Sequence, residues 1–230
     1  MGWIQRNGQI LGSASLGLLL LGGYLGLVWA PPDVNQGNVM RIMYVHVPTI
    51  MVAYLAFFMV LVASGLYLWK RDLIWDRLAS SCAELGVLFT ALAIGVGSLW
   101  AKPTWGTYWT WDPRLTTTAI LFVIYAGYLM LRAMQLDPVA RARQSAIIGI
   151  IGFVDIPIVH ESVTWWRSLH QGPTLRLLQD PLLDDRMELA LMVNMVAYLL
   201  LFVFLLGVRL RLAGLEHQRD EFLWQEAQRV

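Results

Sequence analysis

Six apolar runs, each long enough to cross a hydrocarbon core of about 30 Å, occupy most of this 230-residue sequence. They fall near residues 8–29, 47–69, 79–100, 117–131, 146–163 and 189–208. In lipid every backbone N–H and C=O must find a partner within the protein, and a single segment achieves this only as an α-helix. The runs therefore predict an all-α, polytopic membrane protein with six transmembrane helices and short loops, forming a single membrane domain over residues 1–230. Charged residues make up 14% of the chain, against about 25% in soluble domains, so a bilayer is the expected solvent.

The first run begins close to Met1, where a cleaved signal peptide would lie. No clear small-residue cleavage site follows it, and Trp29-Ala30-Pro31-Pro32 ends it instead, which predicts a retained helix. Basic residues set the orientation, because Lys and Arg are left preferentially on the cytoplasmic side. Of seventeen, eleven fall on one side of the predicted spans, from Arg6 through Lys70, Arg71 and Arg132 to Arg229, and six on the other, including Arg41, Lys102, Arg114, Arg176 and Arg186. Both termini are thus expected in the cytoplasm, with three outward loops at about 30–46, 101–116 and 164–187. The tail, about 211–230, reads as an amphipathic cytoplasmic helix.

Some function classes are excluded early. A net charge of +1 gives no reason to expect a nucleic-acid partner. The single cysteine, Cys82, offers no internal disulfide and no multi-thiolate metal site, and reads as a small buried hydrophobe.

The unusual chemistry gathers on the outward side. Residues 100–111 carry five aromatics, Trp100, Trp105, Tyr108, Trp109 and Trp111, interleaved with Pro103 and Gly106 and followed by Asp112 and Arg114. Aromatic faces separated by small residues suit a flat, apolar wall for an amphipathic ligand, with indole N–H donors at its rim. Interfacial tryptophans that only anchor helix ends would give the same composition, and that alternative stays open on this stretch alone. Histidines add to the pattern. His46, in Tyr44-Val-His46-Val-Pro48, and His170, in Trp165-Trp166-Arg167-Ser-Leu-His170-Gln171-Gly172-Pro173, lie in the two outward loops that flank the tryptophan loop. Pro48 suits the first turn of the second helix.

Haem asks for this set: two axial nitrogen donors, an apolar surface for the macrocycle, and cationic partners for its propionates. Lys102, Arg114 and Arg167 are available for the last, and Asp112 is placed to hold Arg114 or an indole N–H. His160 is read as a supporting group rather than a ligand, and His217 as a solvated residue of the tail. Asp155, inside the fifth run beside Pro157, is either functional or structural. Asn194 in the last run reads as interhelical hydrogen-bonding glue.

The run Trp105-Gly106-x-x-Trp109-x-Trp111-Asp112-x-Arg114-Leu115-Thr116 resembles the signature of the tryptophan-rich, or WWD, haem-handling family of membrane proteins, and matches it at every signature position. The segments around His46 and His170 resemble those of the family's small branch in cytochrome c maturation, and six spans are what that branch has. The resemblance implies non-covalent haem b with a bis-histidine iron held by His46 and His170, and a platform of Trp105, Gly106, Trp109, Trp111 and Asp112. Arg114 and the cluster Trp165, Trp166 and Arg167 are assigned to the same site. It also implies an inner-membrane protein whose partners are the ATPase and membrane subunits of an ABC transporter, a small single-span subunit, and a membrane-anchored periplasmic haem chaperone. A b-type cytochrome would carry its histidines within the spans, and a small-solute permease would show broken helices with charge near the midplane; only Asp155-Ile-Pro157 hints at the latter.

Overall fold

The structure is a computed structural model, and it describes residues 7–170 and 183–227. It is almost wholly helical. Helix α1 spans Gly8–Tyr24 and continues as a π-helical turn, Leu25–Trp29; a 3-10 turn, Asn38–Ile42, leads directly into α2, Met43–Lys70. Helices α3 (Leu73–Trp105), α4 (Pro113–Met134), α5 (Pro138–Phe153), α6 (Asp155–Trp165) and α7 (Asp185–Ala227) follow. Among the described residues there is no strand, only an isolated bridge between Asp33 and Gly37. Six helical segments are long and apolar enough to cross a membrane, α5 and α6 together forming the fifth, so the chain is a multi-pass membrane protein.

Helix ends follow local chemistry rather than hydropathy. Asp72, Asp112 and Asp137 each sit just before a helix and accept a backbone N–H from its first turn, Ile74 at 2.9 Å, Arg114 at 3.0 Å and Ala140 at 2.7 Å. Pro113 and Pro138 follow two of these caps at the first helical position, where a missing N–H costs nothing. Two helices end on left-handed residues, Arg71 at φ 57° and Gly106 at φ 81°. These signals lengthen several spans beyond their apolar runs. Helix α3 begins at Leu73 and runs on to Trp105, the fifth span begins at Pro138, and α2 begins at Met43. Pro48 consequently lies in the second turn of α2 and not the first, because the 3-10 turn before Met43 starts the helix early.

The fifth span, read from the sequence as one run with Pro157 inside it, is broken. Pro157 has no N–H to give the carbonyl of Phe153, and the chain tightens at Val154, whose N–H reaches Ile151 O at 3.1 Å. Asp155, buried, starts the second half of the span, and its Oδ2 has no hydrogen-bond partner among the described residues.

Helix α2 is central and packs against α3, α5 and α7, while α1 lies against α7. Small residues set these approaches. A Cβ at Gly86 on α3 would collide with the Phe57 ring of α2, and one at Gly149 on α5 would meet Val60 at 2.9 Å. Phe57 stacks on Tyr125 with ring centroids 3.8 Å apart, and the Tyr125 hydroxyl donates to Gly149 O at 2.9 Å. Between α1 and α7, Asn194 donates to Gly22 O at 2.9 Å. At one end of the bundle Arg132 of α4 grips Asp76 of α3 with both guanidinium arms, at 2.5 and 2.8 Å. The opposite, tryptophan-bearing end carries Trp100, Trp105, Trp109 and Trp111.

Candidate functional site

At the tryptophan-bearing end, four segments converge: the starts of α2 and α4, the end of α3, and the chain leaving α6. The aromatic contacts fix their arrangement. The His46 ring meets Trp100 edge-on at 5.7 Å, and the His170 ring meets Trp105 edge-on at 4.8 Å. Trp100 and Trp105 both belong to the last turns of α3, so two imidazoles from chain positions far apart pack on one helix end. His46 and His170 lie within electrostatic reach of each other and of Arg114.

His46 sits in the first turn of α2, half-buried against the bundle rather than carried on a loop. Gly97, one turn before Ala101 on α3, makes room for it: a Cβ there would come within 2.8 Å of the imidazole Cε1. The Nδ1 atom of His46 is buried with no hydrogen-bond partner among the described residues, a costly state for a polar atom. Trp100 is itself held by its indole N–H, which donates to Gln36 Oε1 at 2.8 Å. Gln36 belongs to the turn closed by the Asp33–Gly37 bridge, so the first connecting loop is docked on α3.

Asp112 organises the other side. Its Oδ1 accepts the N–H of Arg114 and faces His170 Nδ1 at 3.0 Å; its Oδ2 accepts the Ser168 hydroxyl at 2.9 Å and the Leu169 N–H at 2.7 Å. The side chain is 2% exposed. Burial pushes the Asp112 carboxyl up, but the hydrogen bonds from Leu169 and Ser168 and the neighbouring His170 outweigh it and hold the group below the usual carboxylate range. Burial holds His170 below the ordinary imidazole value, against the pull of Asp112. Burial thus favours the neutral ring, the form in which an imidazole ligates a metal.

The other predicted residues divide. Arg114 donates through Nη2 to His160 O at 3.0 Å, while its Nε is buried without a partner among the described residues. His160 thus contributes its carbonyl, and its imidazole is exposed. Lys102 is spent on Gly106 O at 3.0 Å and on the Tyr108 ring. Trp111 is 82% exposed, and Trp165, Trp166 and Arg167 are exposed as well. The expectation of a flat indole wall is not met: Trp109 and Trp111 stand at 87° to each other, and Trp165 and Trp166 at 76°. Neighbouring indoles prefer edge-to-face contact because their ring quadrupoles repel face to face. Gln171, Gly172 and Pro173 of the third outward loop, the basic residues Arg6, Arg176 and Arg229, and the side chain of His217 lie outside the described residues.

The family model described as heme exporter protein C matches residues 1–225. The chain belongs to the heme exporter protein C family. It is 38% identical over 196 residues to the heme exporter protein C of Bradyrhizobium diazoefficiens, covering 85% of this chain and 74% of that one. The corresponding protein of Escherichia coli K12 is 36% identical over 201 residues, 87% of this chain and 81% of its own. A putative cytochrome c biosynthesis ccmC-like mitochondrial protein of Marchantia polymorpha is 36% identical over 170 residues, 74% of this chain and 72% of its own.

Within this heme exporter protein C family chain, three residues that build the site escaped sequence reasoning. Gly97 had a weak signal, lying one turn before Trp100 in Gly95-Val-Gly97-Ser98. Ser168 and Gln36 had none, since a hydroxyl or amide in a polar loop is ordinary.

Proposed function

We propose that the chain binds haem at the tryptophan-bearing end of its bundle and presents it to a periplasmic haem chaperone during c-type cytochrome biogenesis, as a subunit of an ABC-transporter complex. The observation that carries this reading is the pairing of two imidazoles against one helix end, His46 on Trp100 and His170 on Trp105. His46 keeps a buried Nδ1 without a partner among the described residues, and His170 has Nδ1 turned to a carboxylate.

In this reading haem b is cargo, held non-covalently, with His46 and His170 as axial ligands to its iron. Trp105, Gly106, Trp109 and Trp111 furnish the apolar contact for the macrocycle, and Asp112 ties their loop to the third one. Trp165 and Trp166 extend the aromatic rim. Arg114, whose Nε has no partner among the described residues, and the exposed Arg167 are the cations for the propionates. The chain offers orientation rather than a nucleophile: it holds the cargo so that a chaperone meets it in a fixed pose. Its relatives are named for heme export and cytochrome c biosynthesis, which supports the cargo and the pathway. Partners are then the ATPase and membrane subunits of the transporter, a small single-span subunit and the chaperone, at a bacterial inner membrane with both termini cytoplasmic.

The test is the visible absorption spectrum of the purified chain. A Soret band with low-spin bis-imidazole features is expected, weakened or altered in His46→Ala and in His170→Ala. Absence of haem from the parent chain, or an unchanged spectrum in both variants, overturns the reading.

A further inference from the structure

We infer that Asp112 is the positioning residue that fixes the tautomer and direction of His170, leaving Nε2 as the ring atom free to meet a metal. This rests on the reading of His170 as a haem ligand and says what makes it one.

An ionised carboxylate only accepts, and its two oxygens offer about four good acceptor positions. Four donors address Asp112: the backbone N–H of Arg114 and the His170 ring at Oδ1, the Ser168 hydroxyl and the Leu169 N–H at Oδ2. Facing an acceptor at 3.0 Å, Nδ1 of His170 must carry the hydrogen. In the uncharged ring, the form that ligates a metal, this is the one ring hydrogen, and Nε2 is left with its lone pair. The Ser168 hydroxyl, having donated to Asp112, accepts the backbone N–H of His170 at 3.0 Å. Ring and backbone of His170 are thereby both referred to one carboxylate, directly and through Ser168. A carboxylate behind a ligating histidine orients the ring and raises its basicity, and removing such a partner typically costs about 10–100-fold in metal affinity.

Asp112 also caps α4, and a test must separate that duty from the one proposed. Asp112→Asn keeps size and shape but replaces one acceptor oxygen by a donor amide. Either the amide faces His170, which then needs a bare Nδ1 and puts its hydrogen on Nε2, or it faces the donors from Ser168 and Leu169. Asp112→Ser keeps a capping oxygen for the Arg114 N–H but lacks the reach to the ring.

The experiment is absorption and electron paramagnetic resonance spectroscopy of the full chain purified in detergent, loaded with haem. Both variants are expected to retain about 10-fold less haem, to show high-spin or five-coordinate iron in what remains, and to regain the low-spin signal on addition of free imidazole. Residual haem with the parental low-spin spectrum in both variants, whatever the yield, means a purely structural role and overturns the inference. The His170→Ala variant separates the two levels. If it alters the spectrum while the Asp112 variants do not, only the positioning role falls; if it too is parental, the ligand reading beneath falls with it.

Discussion

Gly97 lies directly under the imidazole of His46, so close that a single added carbon would sit 2.8 Å from Cε1. Gly95, one position before Val96 on the same helix, faces open space. The pair separates the effect of crowding His46 from the general effect of putting a side chain on α3. We expect Gly97→Val to displace the ring and lower haem retention, with an overpacking cost of about 1–3 kcal/mol. Gly95→Val should leave retention as in the parent. Haem-to-protein ratios of the two purified variants check this.

The bidentate pair between Asp76 and Arg132 lies at the far end of the bundle, with the aspartate side chain 6% exposed. Removing one member leaves a buried charge alone, at a typical cost of about 3–5 kcal/mol. Arg132→Met should lower the midpoint of detergent unfolding markedly, and the double substitution Asp76→Leu with Arg132→Met should recover much of the loss. Haem spectra should be parental in the double variant, because the tryptophan-bearing end is untouched.

Asn194 joins the last span to the first through Gly22 O, and a Cβ at Gly22 would collide with its amide at 2.6 Å. Asn194→Leu should cost about 0.6–2 kcal/mol, the usual worth of an interhelical hydrogen bond in a membrane. Gly22→Leu should be worse, since it forces α1 away from α7. Unfolding midpoints in detergent, compared with the parent chain, give the ranking.

The distribution of basic residues predicts which way the bundle lies. A cytoplasm-active reporter fused after Arg211 should be active, and the same reporter placed in the connection near Asn35 should be silent. The reverse pattern would put the tryptophan-bearing end on the cytoplasmic face.

The six spans were legible because a lipid solvent leaves a strong, period-free hydropathy signal. Their ends were less so, for a physical reason. Hydropathy falls where polar residues begin, whereas a helix continues until something caps it. Thus Trp105, assigned to a loop, is the final residue of α3, and Gly106 is where a left-handed turn stops the helix. The break at Val154 could be suspected from Pro157 but not located relative to Asp155. The residue types of the site were readable from the tryptophan motif and two histidines. Their pairing was not, because Asp112 meets His170 across 58 positions of sequence and His46 meets Trp100 across the α2–α3 turn.

That turn consists of Arg71 and Asp72 alone. Closing so short a connection costs little chain entropy, so α2 and α3 behave as a helical hairpin whose open ends are His46 on one arm and Trp100 on the other. One half of the site is therefore assembled by a nearest-neighbour event, available as soon as the first three spans have left the ribosome. The half built on Asp112 waits for residues 168–170, beyond the fifth span. In the order of synthesis, the first imidazole can be seated on its indole before the second exists.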